Sequence, residues 1–220
     1  MAIAYESGST GGIVSAINYP AGLTAGDVLV AGVFSTATAA ITGFDSQAVA
    51  NYYNGLYLTI FTRAADGGEG ASVTPTGGIV YASVMARYSG VNTSSPVDGT
   101  AQQNYSLATT TIVPATSPTS STSQLVMIGS GYIYGNTVTN VAFPSGDERL
   151  AISVASDVIR LELADEALVA SGSTGTRTYT TTVSGGTPLT MGVLVALAPA
   201  SGGGGGGASP ARYNGLMLPV

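Results

Sequence analysis

Short apolar stretches alternate with glycine-rich turns along almost the whole chain. Residues 27–34 form a continuous apolar run, which is typical of a strand buried on both faces. Residues 56–63 alternate instead, with Leu56, Leu58 and Ile60 on one face of a half-buried strand. About a dozen strands at this spacing are typical of β-sandwiches and barrels, so the chain is predicted to be all-β. The same patterns predict the remaining strands over residues 12–17, 39–44, 48–53, 71–74, 79–88, 109–113, 123–133, 149–156, 158–163, 175–183 and 189–197.

The segments between the predicted strands carry turn residues. Asn-Gly at 54–55, Asp-Gly-Gly at 66–68 and Ser-Gly-Gly at 184–186 supply residues that tolerate the positive φ of tight turns. Residues 158–169 could be spaced on a helix, but their first half fits a strand better. We find no clear repeat with a fixed period and no change of composition before residue 199. Residues 1–198 are therefore predicted to form a single antiparallel β-sandwich.

The composition changes at the C-terminal end of the chain. Residues 199–209 form a glycine-rich linker with six consecutive glycines, Gly202 to Gly207. Polyglycine loses the most backbone entropy on ordering, which favours a flexible tether. Residues 210–220 are apolar, and leaving them in water costs about 0.8 kcal/mol per methylene equivalent. We therefore expect a flexible or docked tail that contacts another subunit or the body. The proposed docking side chains are Tyr213, Leu216, Met217, Leu218 and Val220.

Charge and targeting signals narrow the range of partners. Only 8% of the residues are charged, lysine is absent and the net charge is -6, which argues against nucleic-acid binding. The first residues lack the basic start and apolar core of a secretory signal. No apolar stretch reaches the roughly 18 residues of a membrane span, so no membrane insertion is expected.

Candidate catalytic and metal-binding groups are few. Without histidine or cysteine, Ser-His-Asp and Cys-His arrangements are impossible, and zinc would have only oxygen ligands. We interpret the acidic residues of 157–166 as solvated charges at strand edges and turns, and those in glycine-rich turns as caps, with calcium as the alternative. We therefore expect no enzyme, cofactor or metal site. The candidates for the two catalytic carboxylates of a glycosidase are Asp157, Glu162, Asp165 and Glu166. The candidate calcium ligands are Asp66, Glu69, Asp98, Asp147 and Glu148.

Tyrosine is the one aromatic residue in excess. The chain has twelve tyrosines, four phenylalanines and no tryptophan. Tyrosine supplies a large contact area at low entropic cost on binding surfaces. Ordinary packing in the sandwich, a subunit contact and stacking on sugar rings all remain open for the local groups. The possible glycan or subunit contacts are Tyr52, Tyr53, Tyr57, Tyr132 and Tyr134.

Four stretches, residues 20–30, 61–69, 86–98 and 192–197, together resemble a jelly-roll-like β-sandwich module. This module recurs in structural proteins of tailed bacteriophages and in bacterial surface proteins. The resemblance spans most of residues 10–198, and its most distinctive part is Arg-Tyr-Ser-Gly-Val-Asn followed by Pro-Val-Asp within 86–98. It implies a structural or adhesive setting and supplies no catalytic residues. The absence of tryptophan departs from many members of the family.

These observations predict a non-enzymatic structural virion protein of a tailed phage, either a capsid decoration or a minor tail protein. It would be made in the host cytoplasm, form homo-oligomers, as trimers or larger, and contact other virion proteins through its C-terminal peptide. The alternative is a carbohydrate-binding adhesion module for host or environmental glycans. A glycan-degrading enzyme, for which Glu162 would be essential, is a third interpretation.

Overall fold

The computed structural model describes residues 2–13, 16–52, 55–143, 145–155 and 158–200, and its regular elements are all β-strands. The predicted all-β, antiparallel sandwich is thereby confirmed. The strands are β1 (Ala4–Gly11), β2 (Ile17–Asn18), β3 (Val28–Ser35), β4 (Asp45–Tyr52), β5 (Leu56–Ala64), β6 (Ser72–Val73), β7 (Val80–Ser89), β8 (Gln102–Ser106), β9 (Thr110–Val113), β10 (Gln124–Tyr132), β11 (Val138–Ala142), β12 (Asp147–Val154), β13 (Ile159–Ala167), β14 (Arg177–Val183) and β15 (Leu189–Leu197).

Two five-stranded antiparallel sheets form the sandwich. The first has the order β1-β7-β3-β5-β4 and the second the order β12-β13-β10-β15-β8. Alternate side chains of both sheets meet in the main core, among them Val30 and Leu58 from the first and Leu163 and Val193 from the second. At one long edge β1 packs beside β12, and at the other β4 packs beside β8.

Each large sheet is also covered on its outer face. The strand pair β2–β6 covers the first sheet over an apolar cluster that includes Leu29 and Phe61. The three-stranded sheet β11-β14-β9 covers the second over a cluster that includes Leu125 and Leu194. The fold therefore has four layers. This explains why all eight residues of β3 are buried, as the continuous apolar run at 27–34 predicts.

The two halves of the chain repeat one arrangement of strands. Strands β1, β7, β3, β5 and β4 of the first sheet correspond in order to β8, β15, β10, β13 and β12 of the second. The registers also agree, because Val28 lies opposite Ala64 and Tyr88, and Gln124 lies opposite Ala167 and Leu197. Each large sheet thus comes from its own half of the chain.

A β-bulge recurs at the same place in both halves. Gln47 is the extra residue of β4 opposite β5, and Arg149 is the extra residue of β12 opposite β13. The second half carries insertions, which include β11, so the offset between equivalent strands changes along the chain. A search for a fixed period in the sequence therefore does not find this repeat, which is one of register and topology.

The segment that joins the halves is held against the end of β15. Val97 bridges to Leu197, and Val91 bridges to Pro199. The backbone N–H of Ala200 donates to the carbonyl of Gly90 at 2.8 Å. The first two residues of the predicted linker are thus paired with the body, and the rest of residues 199–209 lies outside the described residues.

Two glycines in the middle of strands make room for one buried tyrosine. Gly129 of β10 and Gly192 of β15 are direct partners, and Tyr179 of β14 lies over both. A Cβ atom on Gly192 would lie 2.7 Å from a methyl carbon of Val113 and 2.8 Å from the ring of Tyr179. The Tyr179 hydroxyl donates to the carbonyl of Val193 at 3.0 Å. The glycines therefore allow the outer sheet to approach the second large sheet closely.

We predict that Gly192→Ala lowers the free energy of unfolding by about 1–3 kcal/mol, because the added methyl group overpacks this contact. Urea denaturation of the full chain measures the change. The matched control is Gly70→Ala, at an exposed glycine where a Cβ atom has open space and φ is not positive. A change within about 0.5 kcal/mol is expected there. Equal effects of the two substitutions would contradict the packing argument.

Candidate functional site

Tyrosines gather in a cleft at one end of the sandwich. It has a volume of about 240 Å³ and lies where β4 and β10 end and β15 begins. We call it the tyrosine cleft. Residues that line it include Tyr52, Leu107, Tyr132, Tyr134, Thr187 and Leu189.

The strand ends position these side chains. Tyr52 and Tyr132 are the last residues of β4 and β10, and both pack partly against the main core. The ring of Tyr52 lies edge-on to that of Tyr105, with centroids 5.6 Å apart. Tyr134, two residues beyond β10, is 88% exposed. The cleft therefore has a fixed inner wall and one tyrosine that faces solvent.

The structure brings together three of the five tyrosines proposed as glycan or subunit contacts, Tyr52, Tyr132 and Tyr134. Tyr57 lies elsewhere, because its neighbours Leu56 and Leu58 pack on the main core and the alternation of β5 directs Tyr57 to the outer face of the first sheet. Tyr53 lies outside the described residues. Sequence reasoning missed Tyr105 and Leu107 because it did not predict β8.

The chemistry of the tyrosine cleft is neutral and amphipathic. Of the described residues that line it, none carries a charge. Leu107, itself 57% exposed, adds apolar surface, while tyrosine and threonine hydroxyls can donate and accept hydrogen bonds. Such a surface suits a neutral ligand with both apolar and hydroxyl groups, or an apolar contact with another subunit.

Acidic residues of β13 are buried among arginines. Glu162 and Asp165 are 0% and 2% exposed, so the interpretation of solvated charges is wrong for these two residues. Asp165 pairs with Arg149 at 3.0 Å, Glu166 with Arg177 at 3.1 Å, and Glu162 with Arg160. Burial raises the pKa of Glu162, although hydrogen bonds from Arg160 and the backbone N–H of Val141 oppose the shift.

Glu162 is not placed to form a glycosidase pair with Asp165 or Glu166. Glu162 and Asp165 lie on opposite faces of β13, because side chains alternate along a strand. Glu162 and Glu166 share a face but are four residues, roughly 13 Å, apart along the strand. Glycosidases need two carboxyl groups about 5–10 Å apart. Asp157 lies outside the described residues.

The side chain of Asp98 stabilises the turn at residues 119–123 by accepting hydrogen bonds from it. Its carboxylate accepts hydrogen bonds from the backbone N–H groups of Thr119 and Ser120 at 2.8 and 2.9 Å and from the Ser123 hydroxyl at 2.7 Å. Burial alone raises the pKa of Asp98, but these hydrogen bonds outweigh it and hold the pKa below its ordinary value. The turn-capping interpretation therefore fits Asp98.

The other acidic turn residues offer no assembled metal site. Asp66 and Glu69 both pair with Arg63, at 3.3 and 3.2 Å. Across the described ranges, no group of three histidine, cysteine or acidic residues is arranged to hold a metal ion. Nor does this part of the chain contain a helix with the length and apolar character to cross a membrane.

The last described residues of the chain lie at the end opposite the tyrosine cleft. Leu189, at the start of β15, lines the cleft, and β15 then runs to Leu197, roughly 25–30 Å away. Pro199 and Ala200 are paired beyond that end. The proposed docking residues, Tyr213, Leu216, Met217, Leu218 and Val220, lie outside the described residues.

No protein family, curated protein or solved structure matches this chain. What the protein does must therefore follow from its own residues and their geometry.

Proposed function

We propose that the protein is a non-enzymatic structural component of a tailed-phage virion, a capsid decoration or a minor tail protein. The apolar peptide of residues 210–220 anchors it, and the β-sandwich is displayed outward. The low content of charged residues and the six-glycine linker support this proposal. Homo-oligomers, as trimers or larger, would add weak contacts through avidity.

One geometric observation carries the proposal. The tyrosine cleft and the point where the chain continues to residue 201 lie at opposite ends of the sandwich. An anchor attached beyond residue 200 therefore joins the body at the end that is farther from the cleft, which leaves the cleft free to face outward. This is the arrangement that a displayed module requires. An apolar peptide can bind a neighbouring subunit by adding a strand or by filling a groove.

We predict that ending the chain after Ser201 abolishes incorporation into particles, because the anchoring side chains are removed. The β-sandwich should keep its far-ultraviolet circular dichroism, since the pairing of Ala200 with Gly90 is retained. The measurement is the amount of protein that sediments with particles. A matched control keeps the length and replaces Leu216, Met217 and Leu218 by serine, and it should fail in the same way. Unchanged incorporation of either variant would contradict the anchoring role.

A second function, carbohydrate binding for adhesion, is supported by the tyrosine cleft itself. Its exposed aromatic ring and hydroxyl groups match the apolar faces and hydroxyl groups of a neutral sugar. The two functions are compatible, because the cleft lies at the end that an anchored body would display.

We predict that Tyr134→Ala weakens glycan binding at least about tenfold, equivalent to about 1.4 kcal/mol. The side chain of Tyr134 is almost fully exposed, so the substitution should leave the melting temperature unchanged. A glycan array followed by titration of the best glycan provides the measurement. Tyr57→Ala changes the same residue type outside the cleft and should bind normally. Equal losses of glycan affinity in the two variants, or binding that survives Tyr134→Ala, would show that the tyrosine cleft is not the glycan-binding site.

A further inference from the structure

A second and larger cleft opens at one long edge of the sandwich, between the edge strands β1 and β12. Its volume is about 500 Å³, which lies within the range of about 300–1,000 Å³ typical of small-molecule sites. We call it the edge cleft. The residues that matter below are Tyr5, Gln124, Asp147, Arg149, Asp165 and Glu166, all of which line it.

An ion pair between the partly exposed Arg149 and the buried Asp165 forms the floor of the edge cleft. The guanidinium of Arg149 donates to both oxygens of Asp165, from Nε at 3.1 Å and from Nη2 at 3.0 Å. Gln124 donates to Asp165 Oδ1 at 3.0 Å, and the hydroxyl of Tyr88 donates to Oδ2 at 2.9 Å. Asp165 is thereby satisfied within the protein, and it fixes the orientation of Arg149 and Gln124.

The walls of the cleft combine one aromatic ring with exposed polar groups. The guanidinium carbon of Arg149 lies 5.1 Å from the ring centroid of Tyr5, and the Tyr5 ring is edge-on to Tyr88. The side chains of Arg149 and Asp147 are 31% and 77% exposed. The cleft therefore offers solvent an apolar wall beside oriented donors and acceptors.

The first half of the chain provides an internal comparison for this cluster. At the equivalent bulge, Gln47 Nε2 donates to the hydroxyl of Thr62 at 2.8 Å, where the second half has Arg149 and Asp165. The other three members of the cluster have apolar residues at their equivalent positions, which the strand registers place at the opposite edge of the sandwich. The pairs are Tyr5 and Val97, Tyr88 and Leu197, Gln124 and Val28, Arg149 and Gln47, and Asp165 and Thr62.

This comparison shows that the strand arrangement forms without the ion pair. The first half keeps the same register and the same bulge with a neutral Gln47–Thr62 pair. Burying an ion pair generally adds little net stability, because desolvation offsets the attraction between the charges. The strand arrangement therefore does not require this charged pair, and the pair leaves the side chains of Arg149 and Asp147 partly exposed in the cleft.

We infer that the edge cleft binds one neutral sugar unit of a glycan. A sugar ring presents an apolar C–H face and several hydroxyl groups, which match the ring of Tyr5 and the planar polar groups of Gln124, Arg149 and Asp147. Three carboxylates and one arginine line the cleft, so an acidic sugar would be repelled. This site is separate from the tyrosine cleft, and its test does not depend on the function proposed there.

The test uses a double variant that gives the second half the residues of the first, Arg149→Gln with Asp165→Thr. The full chain is titrated with glucose, galactose, N-acetylglucosamine and glucuronate while amide resonances are followed by NMR. We expect at least one neutral sugar, and not glucuronate, to shift the amides of Tyr5, Asp147 and Arg149 in a saturable way. The double variant should lose at least tenfold in affinity while it keeps its far-ultraviolet circular dichroism. Its melting temperature should fall, because the buried Tyr88 hydroxyl and the Gln124 amide lose their acceptor. Tyr134→Ala should bind as the parent protein does.

A second variant keeps the proposal falsifiable if the double variant unfolds. Asp147→Asn changes a mostly exposed carboxylate and should weaken binding without loss of stability. Binding that is normal in Asp147→Asn, saturable shifts that survive the double variant, preference for glucuronate, or no saturable shift with any of the neutral sugars would each overturn the proposal. Shifts confined to residues of the tyrosine cleft would also overturn it, while supporting the function proposed for that cleft.

Discussion

The sandwich depends on one large-against-small contact at the centre of its main core. Gly32 of β3 and Ile128 of β10 occupy equivalent positions of the two halves, and they face each other across the two sheets. A Cβ atom on Gly32 would lie 2.7 Å from the Ile128 side chain. Two isoleucines would overlap here and two glycines would leave a cavity, so the halves must differ at this position. Their difference fits the two sheets to each other in one specific arrangement.

The same duplicated arrangement of strands explains where the two proposed binding clefts lie. Each half covers its own outer face with a small sheet and shares its inner face with the other half. The two long edges are then equivalent by topology, but the edge between β1 and β12 carries the Arg149–Asp165 pair below an open cleft, where the described residues of the other edge have Gln47 and Thr62. The ends of the sandwich also differ, because the tyrosines gather at the end opposite the point where the chain continues to residue 201. The proposed binding surfaces thus lie where the two halves have diverged.

Much of the fold could be predicted because strand periodicity reports burial directly. The stretches at 27–34, 56–63, 79–88 and 189–197 all correspond to strands of the large sheets. The edge strands β1 and β8 were missed, since they are rich in exposed polar residues and show little periodicity. The prediction at 39–44 was too long, because only Ala40 makes an isolated bridge there. The duplication could not be predicted because insertions change the offset between equivalent strands and because equivalent positions carry different residues.

One candidate site could be predicted in part from the sequence, and the other could not. The excess of tyrosine and its local groups in the sequence pointed to five tyrosines, of which Tyr52, Tyr132 and Tyr134 line one cleft. The burial of Asp165 by residues distant in sequence could not be predicted from its sequence neighbours.

The most direct test of the central contact is a double-mutant cycle of Gly32→Ala and Ile128→Ala, measured by urea denaturation. We expect Gly32→Ala to be destabilising in the parent protein and much less so beside Ile128→Ala, with a coupling energy of at least about 1 kcal/mol. Effects that add to within about 0.5 kcal/mol would show that the two halves do not meet through this pair, and would contradict the account.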